Sequence, residues 1–299
     1  MQKIIKIDNN KECQLWENLW STRTIEQELE ACEIEWAPKL MFLKHLDKSD
    51  KIIDAGCGFG KWVIYLYNRG YNIIGVDNNE LAISELRNYN PKIEIKFGDI
   101  LNLNFPDNHF DGYISMGVVE HFKGGPMEAL KEAYRVLKPN GLIFLSTPTV
   151  NLIRKFIVGP MLKISYSSPQ IIDLLVKFRN FFFKKRSQSR HQNEESNLNT
   201  KNINYYIHFL EYRFTISELQ DYLKQSGFEI INTLPHDFPG SKNHGIGLSV
   251  DFPMFRKKNG YNFELNTIGK LISRLLNWIS PWIACASVLC VARSLKTKS

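Results

Sequence analysis

Three carboxylates close successive apolar runs in the first third of this chain: Asp54 after Lys51-Ile52-Ile53, Asp77 after residues 71–76, and Asp99 just past residues 93–97. Alternate glycines, Gly56, Gly58 and Gly60, follow the first of them. A strand that ends in a carboxylate and then a glycine turn brings a hydrogen-bond acceptor and uncovered backbone to one edge of a sheet. Ligands of open parallel sheets bind at that edge, and an acid there can accept from both hydroxyls of an adenosine ribose. Asp77 suits this role, because its distance from Asp54 fits one strand–helix–strand unit. Its alternative is capping the helix that starts near Glu80, which Asn78 or Asn79 supplies equally well. A dinucleotide-binding turn carries its third glycine one place later, where this chain has Lys61, so the spacing counts against a nicotinamide cofactor. Further on, His121 follows another strand; imidazole titrates near neutral pH, as a base for an oxygen acceptor must. Its alternative is to position that loop or cap the next helix.

Holding these groups in place takes a regular alternation of elements. A helix from near Lys61 to Gly70 links strands 51–53 and 71–76, and a helix from near Glu80 leads to strand 93–97. Strand 112–116 follows, then an amphipathic helix over 126–137 with Met127, Leu130, Ala133, Tyr134 and Leu137 on one side. Lys138-Pro139-Asn140-Gly141 terminates that helix and feeds strand 142–146. Such alternation predicts a parallel sheet covered on both faces. Later, Thr215 and Glu218 form a capping box for a helix that Gly227 stops, followed by strand 228–232 and a return strand at 287–293. At the start, Thr24 and Gln27 form another capping box, and Ile25, Leu29, Cys32 and Trp36 recur at helical spacing until Pro38 ends or kinks the element.

The stretch Asp54-Ala55-Gly56-Cys57-Gly58-Phe59-Gly60 resembles motif I of the class I S-adenosylmethionine-dependent methyltransferases. Pro106-Asp107-Asn108-His109-Phe110-Asp111, Glu120-His121-Phe122 and Leu137-Lys138-Pro139-Asn140-Gly141 are similar to the branch of that family that modifies small molecules and lipids. The resemblance spans residues 51–148 and, less fully, 212–234 with the last strand. It implies an α/β fold: a Rossmann-like, seven-stranded, mostly parallel sheet with helical insertions and an antiparallel final strand. It also implies S-adenosyl-L-methionine as cofactor, contacted by Asp54, Gly56, Gly58, Gly60, Asp77, Asn78, Asp99, Ile100 and Met116. In that family the glycine turn wraps the methionine end, the carboxylate at the Asp99 position takes the adenine amine, and the next backbone N–H takes a ring nitrogen. For Asp99 the alternative is a turn-capping role. His121 is the candidate catalytic base, with His208, His236 and Asp237 as weaker ones.

Four parts follow from this reading: an N-terminal helical lid (1–50), the cofactor-binding core (51–148), a basic and apolar insertion with a flexible linker (149–204), and the second half of the core (205–299), itself interrupted at about 235–286. Trp16, Trp20 and Trp36 of the lid either line a substrate pocket or belong to the core. The net charge of +7 is unevenly placed: residues 151–190 carry nine basic side chains against Asp173. Ser168-Pro169 opens a helix whose apolar arc suits either packing into the protein or lying in a membrane interface with its basic residues at anionic headgroups. A second helix sets Lys270, Arg274 and Asn277 against Leu271, Ile272, Leu275, Leu276 and Ile279 until Pro281 interrupts it. The uncharged run 275–292 has the length of a membrane span, yet its β-branched end reads better as a strand.

These features set the functional expectations. The acceptor is a small molecule, a glycan or a lipid-linked compound, with peripheral membrane contact through 151–186 and 266–283. The N-terminus lacks the long apolar core of a signal peptide, and five cysteines without a Cys-x-x-Cys pair point to a cytoplasmic, reducing setting and away from a structural metal. Nucleic acid is disfavoured as substrate, because Ser115-Met116-Gly117-Val118 stands where amino-directed nucleic-acid methylases carry Asn/Asp-Pro-Pro-aromatic. A non-catalytic cofactor-binding scaffold would keep the same residues.

Overall fold

The computed structural model describes residues 1–8, 24–158, 206–236, 246–257 and 264–297. Nine strands are found there: β1 (Gln2–Asp8), β2 (Lys51–Ala55), β3 (Asn72–Asp77), β4 (Glu94–Phe97), β5 (Phe110–Met116), β6 (Leu137–Pro148), β7 (Tyr206–Arg213), β8 (Phe228–His236) and β9 (Ser287–Ser294). Seven of them form one sheet in the order β4-β3-β2-β5-β6-β9-β8. The pairs from β4 through β6 are parallel, and β9 runs antiparallel between β6 and β8. The predicted seven-stranded, mostly parallel sheet is therefore present. Its strand order reverses beside β2, between β3 and β5, which opens a crevice at the carboxyl ends of these strands.

Around the sheet lie α1 (Ile25–Ile34), α2 (Trp36–His45), α3 (Lys61–Tyr67), α4 (Glu80–Tyr89), α5 (Met127–Val136), α6 (Ile216–Gln225), α7 (Ile246–Asp251) and α8 (Thr267–Ile279). Because both faces are covered, the central strands are apolar at consecutive positions. Ile52 and Phe144 enter one core with Phe42, Trp62 and Leu66, while Ile53 and Leu145 enter the other with Tyr113, Leu130 and Phe228. Phe42 is fully buried and meets the rings of Trp62 and Phe144 edge-on at 5.2 and 5.1 Å, fastening α2 over the sheet. Burying a side chain of this kind contributes about 2–3 kcal/mol.

Four local expectations are corrected. Residues 1–50 are not helical throughout: Gln2–Asp8, rich in β-branched isoleucine, forms an antiparallel two-stranded sheet with β7. Pro38 does not end α1. The chain breaks earlier, at the extended residue Glu35, and Pro38 stands in the first turn of α2, where its missing N–H has no intrahelical partner to lose. Residues 138–141 do not separate helix from strand, since β6 starts at Leu137 opposite Phe110 and absorbs a register shift before Gly112, with Asn140 at φ 63°. Arg154, counted with the basic insertion, is buried against Asp251 and the carbonyls of Thr149 and Ala286. Trp16, Trp20, Asp237, and the helix and linker expected between 168 and 204 lie outside the described residues. Among the described residues, no helix is long and apolar enough to cross a membrane.

Candidate functional site

The glycine turn after β2 is built by steric necessity. Gly56 and Gly60 take positive φ of 82° and 71°, and a Cβ on them would come within 2.6 Å of Val118 and 2.3 Å of Leu86. Gly60 then caps α3 in the left-handed conformation, and the Gly58 N–H turns inward to donate to Asp77 Oδ2 at 2.7 Å. Asp77 Oδ1 accepts from the Asn79 N–H at 2.9 Å, so the carboxylate pins the turn to the loop after β3. The cap of α4 is Asn79, whose side chain accepts from the Ala82 N–H; this leaves Asp77 to the crevice. Burial raises the Asp77 carboxyl above its usual range against the pull of these backbone donors. Backbone N–H groups of Gly58, Asn79 and Asn78 all act on this carboxylate, which leaves it one further lone pair for a ligand hydroxyl.

A cleft at this edge is lined by Gly56, Asp77, Asn78, Asn79, Gly98, Asp99, Ile100, Gly117, Val118, His121 and Phe122. It brings together six of the expected site residues: Gly56, Asp77, Asn78, Asp99, Ile100 and His121. The other four are close by in the fold but outside this lining. Gly58 acts through Asp77, Gly60 caps α3, and half-buried Met116 ends β5 against the core. Asp54 is buried at the end of β2, where desolvation pushes its carboxyl up to about 7 despite the nearby Lys61 ammonium. Asp99 is exposed and caps a turn, Oδ1 accepting from the Leu101 N–H at 2.9 Å, which fills one oxygen and leaves the other. Two acceptors set among Ile100, Val118 and Phe122 suit an adenosine, with hydroxyls and an amine to donate and an apolar ring face.

At the far side of the cleft, His121 Nδ1 lies 2.8 Å from the Leu210 carbonyl oxygen. Only an Nδ1–H can serve that acceptor, so in the neutral ring Nε2 is the basic nitrogen. Burial holds the imidazole below its ordinary range. Next to it Glu120 is buried, with Oε1 3.9 Å from His121 Nε2, and burial raises its carboxyl well above the usual value. His236 behaves differently from expectation. It is fully buried, within hydrogen-bond distance of Ser146 Oγ (2.7 Å) and Glu35 Oε2 (3.2 Å), and it does not line the cleft. Glu35 also takes the Lys61 ammonium at 2.6 Å; burial opposes its charge, but Lys61 and His236 keep the carboxyl below its usual range.

Reading the sequence missed Asn79, Gly98, Gly117, Val118 and Phe122 in the lining, although the rule that picked Asp99, residues just past a strand's carboxyl end, applies equally after β3, β4 and β5. It also missed Glu35. Nothing in one dimension pairs a residue between two helices with Lys61 and His236.

Comparisons with known proteins agree with this geometry. Residues 53–145 match the family described as "Methyltransferase domain". Over 106 residues the chain is 29% identical to a probable S-adenosylmethionine-dependent methyltransferase of Mycolicibacterium smegmatis, covering 36% of this chain and 41% of that one. Over 130 residues it is 32% identical to a demethylmenaquinone methyltransferase of Staphylococcus epidermidis, covering 40% and 53%. The chain thus spans about half the length of the curated relatives it matches. In fold it is similar to a Haloferax volcanii methyltransferase solved in complex with the Trm112 methyltransferase activator (TM-score 0.55, 12% identity, 92% of this chain and 96% of that one). A S-adenosylmethionine-dependent methyltransferase of Methanosarcina mazei is also similar (TM-score 0.50, 18% identity, 86% and 98%). The matched segment contains the glycine turn, all three strand-closing carboxylates and His121, and the sheet order is that of the fold. Residues 53–145 thus match a methyltransferase domain, carried on a sheet like that of solved S-adenosylmethionine-dependent methyltransferases.

Proposed function

We propose that the whole chain transfers the methyl group of S-adenosyl-L-methionine to an oxygen of a small or lipid-linked acceptor. The observation that carries this reading is a single cleft that holds acceptors for an adenosine, Asp77 and Asp99, together with a histidine whose tautomer is fixed by the Leu210 carbonyl. When bound, the cofactor would supply a sulfonium methyl group for in-line attack by an acceptor oxygen, with the thioether as leaving group. Asp77 would hold the ribose and Asp99 the adenine amine, both orienting rather than reacting. Asp54 is buried behind the turn, outside the lining of the cleft. His121 enters neutral, because burial has lowered its pKa, and takes the acceptor's proton on Nε2.

A relative named for demethylmenaquinone supports a small-molecule acceptor. Transfer of labelled methyl from the cofactor to candidate acceptors, with His121→Ala alongside the wild type, tests the proposal. The expected result is turnover lowered about 10²–10⁴-fold with affinity for S-adenosylhomocysteine retained. Loss of that affinity would make His121 part of the cofactor site's architecture. Cofactor binding without any transfer of label would favour the scaffold reading.

A further inference from the structure

Helix α8 is mounted the wrong way round for a surface helix. Its small residues Gly269 and Ser273 are buried, and a Cβ on Gly269 would sit 2.9 Å from Phe255, so this face lies hard against the turn Pro253–Phe255. Its large apolar residues point outward instead. Ile268, Leu271, Leu275 and Trp278 recur at intervals of three and four, forming one stripe, and Trp278 is 84% exposed. A soluble surface does not ordinarily offer such a stripe to water. Met254, in the turn beneath α8, is also 72% exposed. Phe156 is 67% exposed on the segment that Arg154 ties to Asp251 of α7.

The charges around this surface choose its partner. Lys257, Lys270 and Arg274 are exposed there, the two lysines sharing an ion pair with Glu264, and no acidic residue follows Glu264 in the sequence. A second copy of the chain would set these cations against themselves. An anionic lipid bilayer offers both what the stripe lacks and what the cations attract: an apolar interior under a negative surface. A helix of 13 residues is about 20 Å long, too short to cross and sufficient to lie flat, with Trp278 at the headgroup level. We infer that the stripe of Ile268, Leu271, Leu275 and Trp278, with its flanking basic residues, docks this protein onto anionic lipid bilayers. This inference stands apart from the transfer chemistry.

The test is flotation of the full chain with phosphatidylcholine vesicles, with and without phosphatidylglycerol, for the wild type and for L271E/L275E. The wild type is expected to partition onto anionic vesicles on the order of tenfold more strongly than onto neutral ones. The double variant should lose that binding while keeping its affinity for S-adenosylhomocysteine, which shows that it folds. A blue shift of tryptophan emission on anionic vesicles should disappear in Trp278→Phe. The inference is overturned if the wild type stays in solution, if it binds neutral vesicles equally well, or if L271E/L275E floats like the wild type. It is equally overturned if the double substitution converts a dimer to a monomer in gel filtration without changing vesicle binding, because the stripe would then be covered by a second copy.

Discussion

A buried carboxyl that is reluctant to ionise gives Asp54 a signature in stability as well as in binding. Its folded pKa is pushed up to about 7 by burial, whereas an unfolded aspartate titrates near about 4. The folded state therefore binds this proton more tightly. The stability that protonated Asp54 lends is fully present below the unfolded pKa and declines as pH rises toward the folded one. In the cofactor-free protein, Asp54→Asn should remove that decline, making the variant more stable than the wild type above about pH 7 and comparable to it below about pH 4. Thermal unfolding across this window checks the sign, and parallel curves for the two proteins would refute it. At this scale the sequence was informative wherever a residue's role follows from its position on a strand, as for Asp77 and Asp99. It was silent on His121 Nδ1, whose partner Leu210 is 89 residues away and contributes only a carbonyl that any residue could supply.

At the scale of elements, Glu35 explains why α1 and α2 are two helices. Apolar spacing suggests one continuous helix that Pro38 ends or kinks, because periodicity registers which residues face the core and not a backbone break made for a tertiary contact. The break lets a fully buried carboxylate reach Lys61, just after the glycine turn, and His236 at the end of β8, so the N-terminal helices, the cofactor turn and the distal sheet meet at one group. Removing one partner of such a buried pair strands the other, and Glu35→Gln should cost about 3–5 kcal/mol of stability in denaturant titration. Replacing both, Glu35→Leu with Lys61→Met, should cost less than the single change. If the double variant were the less stable of the two, the pair would have to be counted as a net source of stability rather than a specific clasp. Helix N-termini were the most legible feature, since capping is local. Thr215 and Glu218 make the predicted reciprocal box, and Asn79 caps α4.

For the whole molecule, the alternation of strands and helices gave the parallel half of the sheet, because a connection through a helix leaves few ways to place the next strand. That β9 is an antiparallel return strand came from the family resemblance, and its place between β6 and β8 came from the structure, since nothing local in residues 287–293 says which strands they join. Illegible from sequence was the packing of the second insertion: the amphipathicity of α8 was plain, but which side faces the protein depends on Phe255 and Gly269 meeting closely. The buried group of Arg154, Asp251 and Arg213 that holds this insertion to β7 likewise joins residues from three distant segments.

Everything proposed about catalysis depends on the crevice beside β2 and β3 taking up an adenosyl sulfonium, and isothermal calorimetry measures that without knowledge of the acceptor. The wild-type protein should bind S-adenosylhomocysteine at one site, and Asp77→Asn, which weakens the acceptor for the ribose hydroxyls, should bind it about tenfold or more weakly. A folded wild type that releases no heat with either S-adenosylmethionine or S-adenosylhomocysteine, or an Asp77→Asn variant that binds them as tightly as the wild type, would contradict the account.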